Sequence, residues 1–276
     1  MLSFLFKISR FRFWIYTGGT YVVGYALAAG ALGDFFRFDY YIYLIYFFFF
    51  ANVFIYGVND YWDEKTDEKN PKKDEKEHRI KGEEKKKLLN VIYLVTGLSL
   101  VLIVFQTNLE RILFSFFLLL SYFYSSPPLR FKERPFLDFS SNYLYVMPGI
   151  FAYSMIADSI PSLIIMVGAY FHISAMHIFS AIPDIKYDKD AGINTTPVFI
   201  GKKASLKLTL IFWLILSFIV INLADYRFLS FLVFLYPLFP FLLLINDDLD
   251  INKLYWYLPY VNTSLGGLFN VFGVNI

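Results

Sequence analysis

The run Tyr40-Tyr41-Ile42-Tyr43-Leu44-Ile45-Tyr46-Phe47-Phe48-Phe49-Phe50-Ala51-Asn52-Val53-Phe54-Ile55-Tyr56-Gly57-Val58 leads straight into Asn59-Asp60-Tyr61-Trp62-Asp63-Glu64-Lys65-Thr66-Asp67. The apolar part matches the roughly 20 residues that a helix needs to cross a hydrocarbon core. It shows no period-2 alternation, and lipid leaves only helices or closed barrels as spanning structures. The stretch therefore reads as a transmembrane helix that ends in an acidic motif.

Similar runs recur outward from it in both directions. Nine segments qualify, at about 13–32, 40–58, 88–106, 109–126, 142–157, 161–182, 203–224, 227–246 and 254–273, with the fifth the shortest. The first lacks a small-residue cleavage site and is read as a span, not a removed leader. The composition agrees: 57% of the 276 residues are hydrophobic, 21% are aromatic and 17% are charged, and the mean hydropathy is +0.51. Soluble domains carry about 25% charged residues. A soluble globular domain, a disordered chain and a basic nucleic-acid-binding domain are excluded. The chain has no cysteine, so thiolate metal sites, disulfides and cysteine nucleophiles are excluded too.

The net charge of +2 conceals a strong asymmetry. With nine spans, 22 of the 25 Lys and Arg residues fall on the N-terminal side of the membrane, leaving Arg37, Arg111 and Arg227 opposite. The positive-inside rule then places the N-terminus in the cytoplasm and the C-terminus on the other side of the cell's inner membrane. The expected fold is all-α: one polytopic domain over 1–276, a bundle of about nine helices with a polar cytoplasmic cap. Chemistry belongs at the cytoplasmic helix ends, because the opposite loops are very short.

Asn59, Asp63 and Asp67 recur every four residues, and on a continued helix they line one face. Asp184 and Asp188 repeat the spacing at the end of the sixth expected span. Carboxylates four apart repel one another, so their stacking makes sense around cations. Hard divalent ions take oxygen ligands, and Mg2+ is held by one or two carboxylates together with substrate phosphates. The plainer reading is a set of solvated loop charges. It fits most of 68–87, within a 59–87 loop that carries ten acidic and ten basic residues.

A third polar segment, Tyr124-Ser125-Ser126-Pro127-Pro128-Leu129-Arg130-Phe131-Lys132-Glu133-Arg134-Pro135, follows the fourth span. Pro127 and Pro128 stop that helix. Arg134 reads as a membrane-surface anchor, whereas Arg130 and Lys132 are also suited to gripping a diphosphate.

Together, Asn59xxxAsp63xxxAsp67, the Tyr124-Ser125-x-Pro127-Pro128-x-Arg130-x-Lys132 turn, and Asp184xxxAsp188 before Ala191-Gly192-Ile193 resemble the UbiA superfamily of intramembrane prenyltransferases. Within it, Ser9-Arg10-Phe11-Arg12-Phe13-Trp14, Asn70-Pro71-Lys72-Lys73 and His177-Ile178-Phe179-Ser180-Ala181-Ile182-Pro183-Asp184 look like the lycopene elongases. Phe11 stands where that branch has proline. His78-Arg79-Ile80 lacks the Asn-Arg-Pro of many quinone-type relatives.

The resemblance implies an Mg2+-dependent transferase with an isoprenyl diphosphate donor of five carbons and a hydrophobic isoprenoid acceptor such as lycopene. An aromatic quinone precursor, or another lipid, is the alternative acceptor. Asn59, Asp63, Asp67, Asp184 and Asp188 would hold metal; Arg10, Ser125, Arg130 and Lys132 would hold diphosphate. Asp60, Tyr124 and His177 are the candidate catalytic groups, with His177 as a proton acceptor; its competing role is a histidine bonded inside the bundle. A transporter is the main rival class, but the charges sit at helix ends and no internal repeat is evident.

Overall fold

The computed structural model describes residues 2–63, 80, 82–223, 227–246 and 248–272, and every regular element among them is helical. The chain divides into two units, one built from 1–130 with 147–160 and one from 131–146 with 161–276.

The first unit contains α1 (Leu2–Ser9), α2 (Thr20–Ala28), α3 (Phe38–Ile45), α4 (Ala51–Trp62), α5 (Gly82–Val104) and α6 (Asn108–Ser125). The second unit's α7 (Leu137–Ser140) comes next in the chain, and α8 (Met147–Ala157) then returns to the first unit. α6 starts at a capping box. Thr107 Oγ1 accepts from Glu110 N at 3.3 Å, and Glu110 Oε2 accepts from Thr107 N at 2.9 Å.

Two π-helical turns, Ile15–Gly19 and Tyr46–Phe50, precede α2 and α4. Such turns loosen the normal hydrogen-bond ladder, and here one buried amide compensates. Asn52 Nδ2 donates to Phe47 O at 3.1 Å, Phe48 O at 2.9 Å and Thr17 Oγ1 at 2.6 Å. Thr17 Oγ1 in turn donates to Phe47 O at 2.7 Å.

The unit's apolar interior has two parts. Phe4, Ile8, Val53, Phe54, Val58, Leu88, Val91, Ile92 and Val95 join α1, α4 and α5. An aromatic cluster joins α3, α6 and α8, with the Phe151 ring 4.7 Å from Tyr43 and 5.5 Å from Phe114 between centroids. At the α2–α8 crossing a Cβ on Gly24 would overlap the Gly149 carbonyl, so the two backbones meet directly, a small-residue contact typical of membrane helices.

The second unit contains α7, α9 (Leu163–Ala181), α10 (Ile185–Asp190), α11 (Thr196–Ile200), α12 (Lys202–Leu223), α13 (Leu235–Ile245) and α14 (Ile251–Phe272). α9 packs on α12, α12 on α13, and α13 on α14. Phe171 and Phe212 meet at 5.2 Å between centroids at the first of these contacts.

Five helices among the described residues are long and apolar enough to cross a membrane: Phe38–Trp62, Glu84–Val104, Leu163–Asp190, Lys202–Leu223 and Phe228–Ile245. The chain is an integral membrane protein, but nine crossings do not emerge by this measure. The first expected span is interrupted by its π turn and stops at Ala28; α6 opens on Glu110 and Arg111; α8 has 11 residues; and α14 carries Asn252, Lys253 and Asn262 among its apolar residues. Hydropathy windows smooth over such breaks.

The expected continuation of the second span through Asp67 also changes. α4 ends at Trp62, where Asp63 leaves the helix with φ −96° and ψ 3°. Asp67 and the Asn70-Pro71-Lys72-Lys73 and His78-Arg79 segments lie outside the described residues.

Candidate active site

In the first unit the site is built on the last turn of α4. Asp63 caps that turn, its N–H donating to Asn59 O at 3.0 Å. The side chains follow: Asn59 Nδ2 donates to Asp63 Oδ2 at 2.5 Å and to Ser125 Oγ at 3.0 Å. Ser125 is the last residue of α6, stopped there by the prolines that follow, so the end of α6 is tied to the end of α4.

Two arginines complete this group, each from a residue in left-handed backbone. Arg130, with φ 39°, brings Nη2 to 3.3 Å from Asp63 Oδ1. Arg10, with φ 49°, brings Nη2 to 2.6 Å from Asp60 Oδ1, and its guanidinium lies 4.5 Å over the Tyr56 ring. Asp60 and Asp63 are 3% and 4% exposed, so both carboxylates are ion-paired out of water. Asp60 meets Arg10, while Asn59 meets Ser125 and Asp63 meets Arg130. Tyr124, one residue before Ser125, is half-buried on α6.

In the second unit, Asp184 closes a 3-10 turn, Ile182–Asp184, and is the N-cap position of α10. Asp188 lies one turn on, half-buried. The segment Ala191-Gly192-Ile193 reverses the chain, with Gly192 at φ +74°, a conformation that suits glycine. The reversal sets Ile193 N 2.8 Å from Asp188 O and Thr195 Oγ1 3.3 Å from Asp188 Oδ2. Lys132 is half-buried in the 3-10 turn Phe131–Glu133.

One residue that the sequence reading passed over belongs to this unit's polar interior. Asp138, fully buried on α7, accepts from Thr196 N at 2.7 Å and Thr196 Oγ1 at 2.5 Å. His177 Nε2 stands 3.9 Å from Asp138 Oδ2. This contact joins His177, the candidate proton acceptor, to Asp138. The available signal was an acidic residue inside the apolar run Phe136-Leu137-Asp138-Phe139, since a buried acid at membrane depth usually has a specific partner.

Among the described residues no three His, Asp or Glu side chains are grouped closely enough to hold a metal alone. This suits an ion that takes one or two carboxylates and completes its shell with phosphate oxygens. Asp63 with the Asn59 amide in the first unit, and separately Asp184 with Asp188 in the second, are oxygen donors of the kind such an ion takes. With its nitrogen turned to Asp63, Asn59 would need a half-turn of its amide to offer oxygen to a cation.

The model of the UbiA prenyltransferase family matches residues 18–253. The lycopene elongase/hydratase of Haloarcula japonica is 38% identical over 273 residues, covering 98% of this chain and 91% of that protein. The Haloferax volcanii protein of the same name is 38% identical, covering 97% and 87%. Among solved structures, a UbiA homolog from Archaeoglobus fulgidus bound to DMAPP and Mg2+ superposes with a TM-score of 0.70 at 21% identity, covering 96% of this chain and 98% of that one.

Proposed function

The chain belongs to the UbiA prenyltransferase family, and from that membership we propose that it moves a five-carbon isoprenyl group from an allylic diphosphate to an apolar isoprenoid acceptor such as lycopene. The proposed reaction breaks a carbon–oxygen bond to diphosphate and makes a carbon–carbon bond to the acceptor. The observation that carries the reading is the group at the end of α4, where Asn59 and Arg130 converge on Asp63 and Asn59 also donates to Ser125. The names of the relatives supply the acceptor class, and the Archaeoglobus structures with GPP or DMAPP and Mg2+ supply the donor class and metal.

Asn59, Asp63 and Asp67 would hold Mg2+ in the first unit, and Asp184 and Asp188 in the second. Mg2+ bound there would neutralise the charge developing on the departing diphosphate. Arg130, Arg10 and Lys132 would bind diphosphate oxygens through charge-assisted bonds, with the Ser125 and Tyr124 hydroxyls as further donors. For Arg130 this means exchanging Asp63 for phosphate. Asp60 holds Arg10 in an ion pair with its guanidinium over the Tyr56 ring. The allylic cation left behind must be kept from water, which the apolar bundle below α4 and α6 does. The acceptor's terminal alkene then attacks it, and His177, oriented by Asp138, would take the proton released.

All 276 residues would serve as one membrane-embedded prenyltransferase domain. Its acidic ends and N-terminus would lie at the cytoplasmic face of the inner membrane, with the C-terminus opposite, a reading that the cation asymmetry supports. An aromatic, carboxylate-bearing quinone precursor is the second acceptor class. It is disfavoured because the middles of the five described spans carry no Lys or Arg to meet a carboxylate. Expression in a lycopene-producing host, with pigment masses measured, separates the two. Mass gains in five-carbon steps support the apolar acceptor, and unchanged lycopene moves the assignment to an aromatic one.

A further inference from the structure

A different polar group occupies the middle of the second unit's helices. His172 is tenth of the 19 residues of α9, Trp213 is twelfth of the 22 of α12, and Asn262 is twelfth of the 22 of α14. Tyr236 is ninth of the 18 in the span Phe228–Ile245. At 1.5 Å per residue each lies roughly 15 Å from either end of its helix, so that His172 is well away from Asp184 and Asp188.

These side chains touch. The Tyr236 ring is 4.7 Å from His172 and stacks on Trp213 at 5.6 Å, between centroids. The Tyr236 hydroxyl donates to Asn262 Oδ1 at 2.7 Å, and Asn262 Nδ2 donates to Met176 Sδ at 3.0 Å. Three polar atoms at this level are buried without a hydrogen-bond partner among the described residues: His172 Nδ1, Trp213 Nε1 and Thr209 Oγ1. Trp213 and Thr209 are fully buried.

The pattern along α12 makes the omission specific. Ser205, Thr209, Trp213 and Ser217 form one stripe at four-residue spacing, all of it buried. Ser205 Oγ donates to Gly201 O at 2.9 Å and Ser217 Oγ to Trp213 O at 2.7 Å, the usual way for a helix to absorb a hydroxyl in an apolar setting. The two residues between them do not return to the backbone. Lipid tails cannot satisfy them, and polar groups at mid-depth that lack protein partners mark ligand sites.

An indole N–H can only donate, a threonine hydroxyl both donates and accepts, and a neutral imidazole nitrogen does one or the other according to its tautomer. An uncharged hydroxyl satisfies all three with either tautomer. An anion would lie among helix middles that hold no Lys or Arg. We propose that His172, Thr209 and Trp213 form a site for a single hydroxyl group at the centre of the membrane, carried by a hydrated isoprenoid chain or by a water molecule. The isoprenoid source rests on the acceptor class proposed above; the water source does not.

The test uses the full chain in lipid nanodiscs with 5-fluorotryptophan in place of tryptophan. The Trp213 resonance is identified by its loss in Trp213→Phe. An acyclic isoprenoid tertiary alcohol should shift that resonance and bind about tenfold more tightly than the hydrocarbon of the same skeleton, the worth of about one buried hydrogen bond. His172→Leu should abolish the preference. If that variant does not fold, Thr209→Val removes one of the three groups without touching the ring stack and should weaken the preference in the same direction.

A cross-peak between water and the Trp213 indole proton, with alcohol and hydrocarbon binding equally, assigns the hydroxyl to resident water. Equal binding with no such cross-peak overturns the proposal. Because binding is read without turnover, a protein inactive on lycopene that still prefers the alcohol would refute the proposed acceptor and leave this site standing.

Discussion

Arg10 sets Nη2 2.6 Å from Asp60 Oδ1 across 50 residues of sequence, and its guanidinium lies on the Tyr56 ring one turn away on α4. The pair is almost wholly out of water, at 12% and 3% exposure, so removing one partner strands a charge rather than merely losing a contact. Arg10→Ala should cost about 3–5 kcal/mol by that mechanism. Combining it with Asp60→Asn should recover much of the loss, because the stranded carboxylate is gone. Thermal unfolding in nanodiscs checks both; equal destabilisation by the single and double variants would rule the mechanism out.

Asp63 is held by Asn59 and Arg130, and the proposed chemistry passes through it. Asp63→Ala should lower prenyl transfer about a hundredfold to a thousandfold, the usual loss when a group that stabilises developing charge is removed, while the protein stays in the membrane fraction. Activity assays on membranes with matched protein amounts decide this, and Asp184→Ala should behave alike. Retained activity in either would remove that residue from the metal set.

Asp138 and His177 can be told apart by which property each moves. Asp138→Ala leaves the Thr196 N–H and hydroxyl buried without an acceptor, at about 1–3 kcal/mol for each donor, and α11 should become the first segment to exchange its amide hydrogens. His177→Gln should leave that exchange pattern intact and depress turnover. A His177 variant with normal turnover would make the residue a purely packing one.

At the α2–α8 crossing, Gly24→Ala must push two backbones apart. The expected cost is about 1–3 kcal/mol, as for overpacking elsewhere, and Gly149→Ala should cost a similar amount. The double variant should cost less than the sum, because one separation accommodates both methyl groups. Melting temperatures of the three variants test the coupling.

Asn52→Ala should release the carbonyls of Phe47 and Phe48 together with Thr17, and cost more than a typical buried Asn truncation. The prediction is that Asn52→Ala combined with Thr17→Val is no worse than Asn52→Ala alone, since both act on the same π turns. Chemical unfolding of the two variants is the measurement.

Much of the first acidic motif was legible because its logic is short-range. Asn59 and Asp63 are four apart, and the contact between them needs only one helical turn. The prolines after Ser126 marked the end of α6 for the same local reason. What the sequence could not show was the breaking of spans. Composition registers apolarity, not the π turns at Ile15–Gly19 and Tyr46–Phe50, which are joined by an Asn52 amide that reaches Thr17, 35 residues away. The stop at Trp62 was hidden likewise, because four-residue spacing looks the same whether the helix continues or an acidic residue caps it. Asp138 escaped because its partner, Thr196, lies 58 residues away. The left-handed backbone at Arg10 and Arg130 left no trace in residue type, since neither is the glycine or asparagine that usually marks it.

The return of 147–160 to the first unit orders events during synthesis. A ribosome that has delivered residues 1–130 has delivered α1 to α6 without Phe151, which packs on both Tyr43 and Phe114, and without Gly149, on which Gly24 rests. Residues 131–146, which belong to the other unit, must emerge before that gap can close. The amino-terminal half therefore has to wait, partly open in the bilayer, for a piece of chain made after its neighbour has begun. A chain truncated near residue 135 and released into the membrane should be cut readily by proteases, and one truncated beyond residue 160 should resist them.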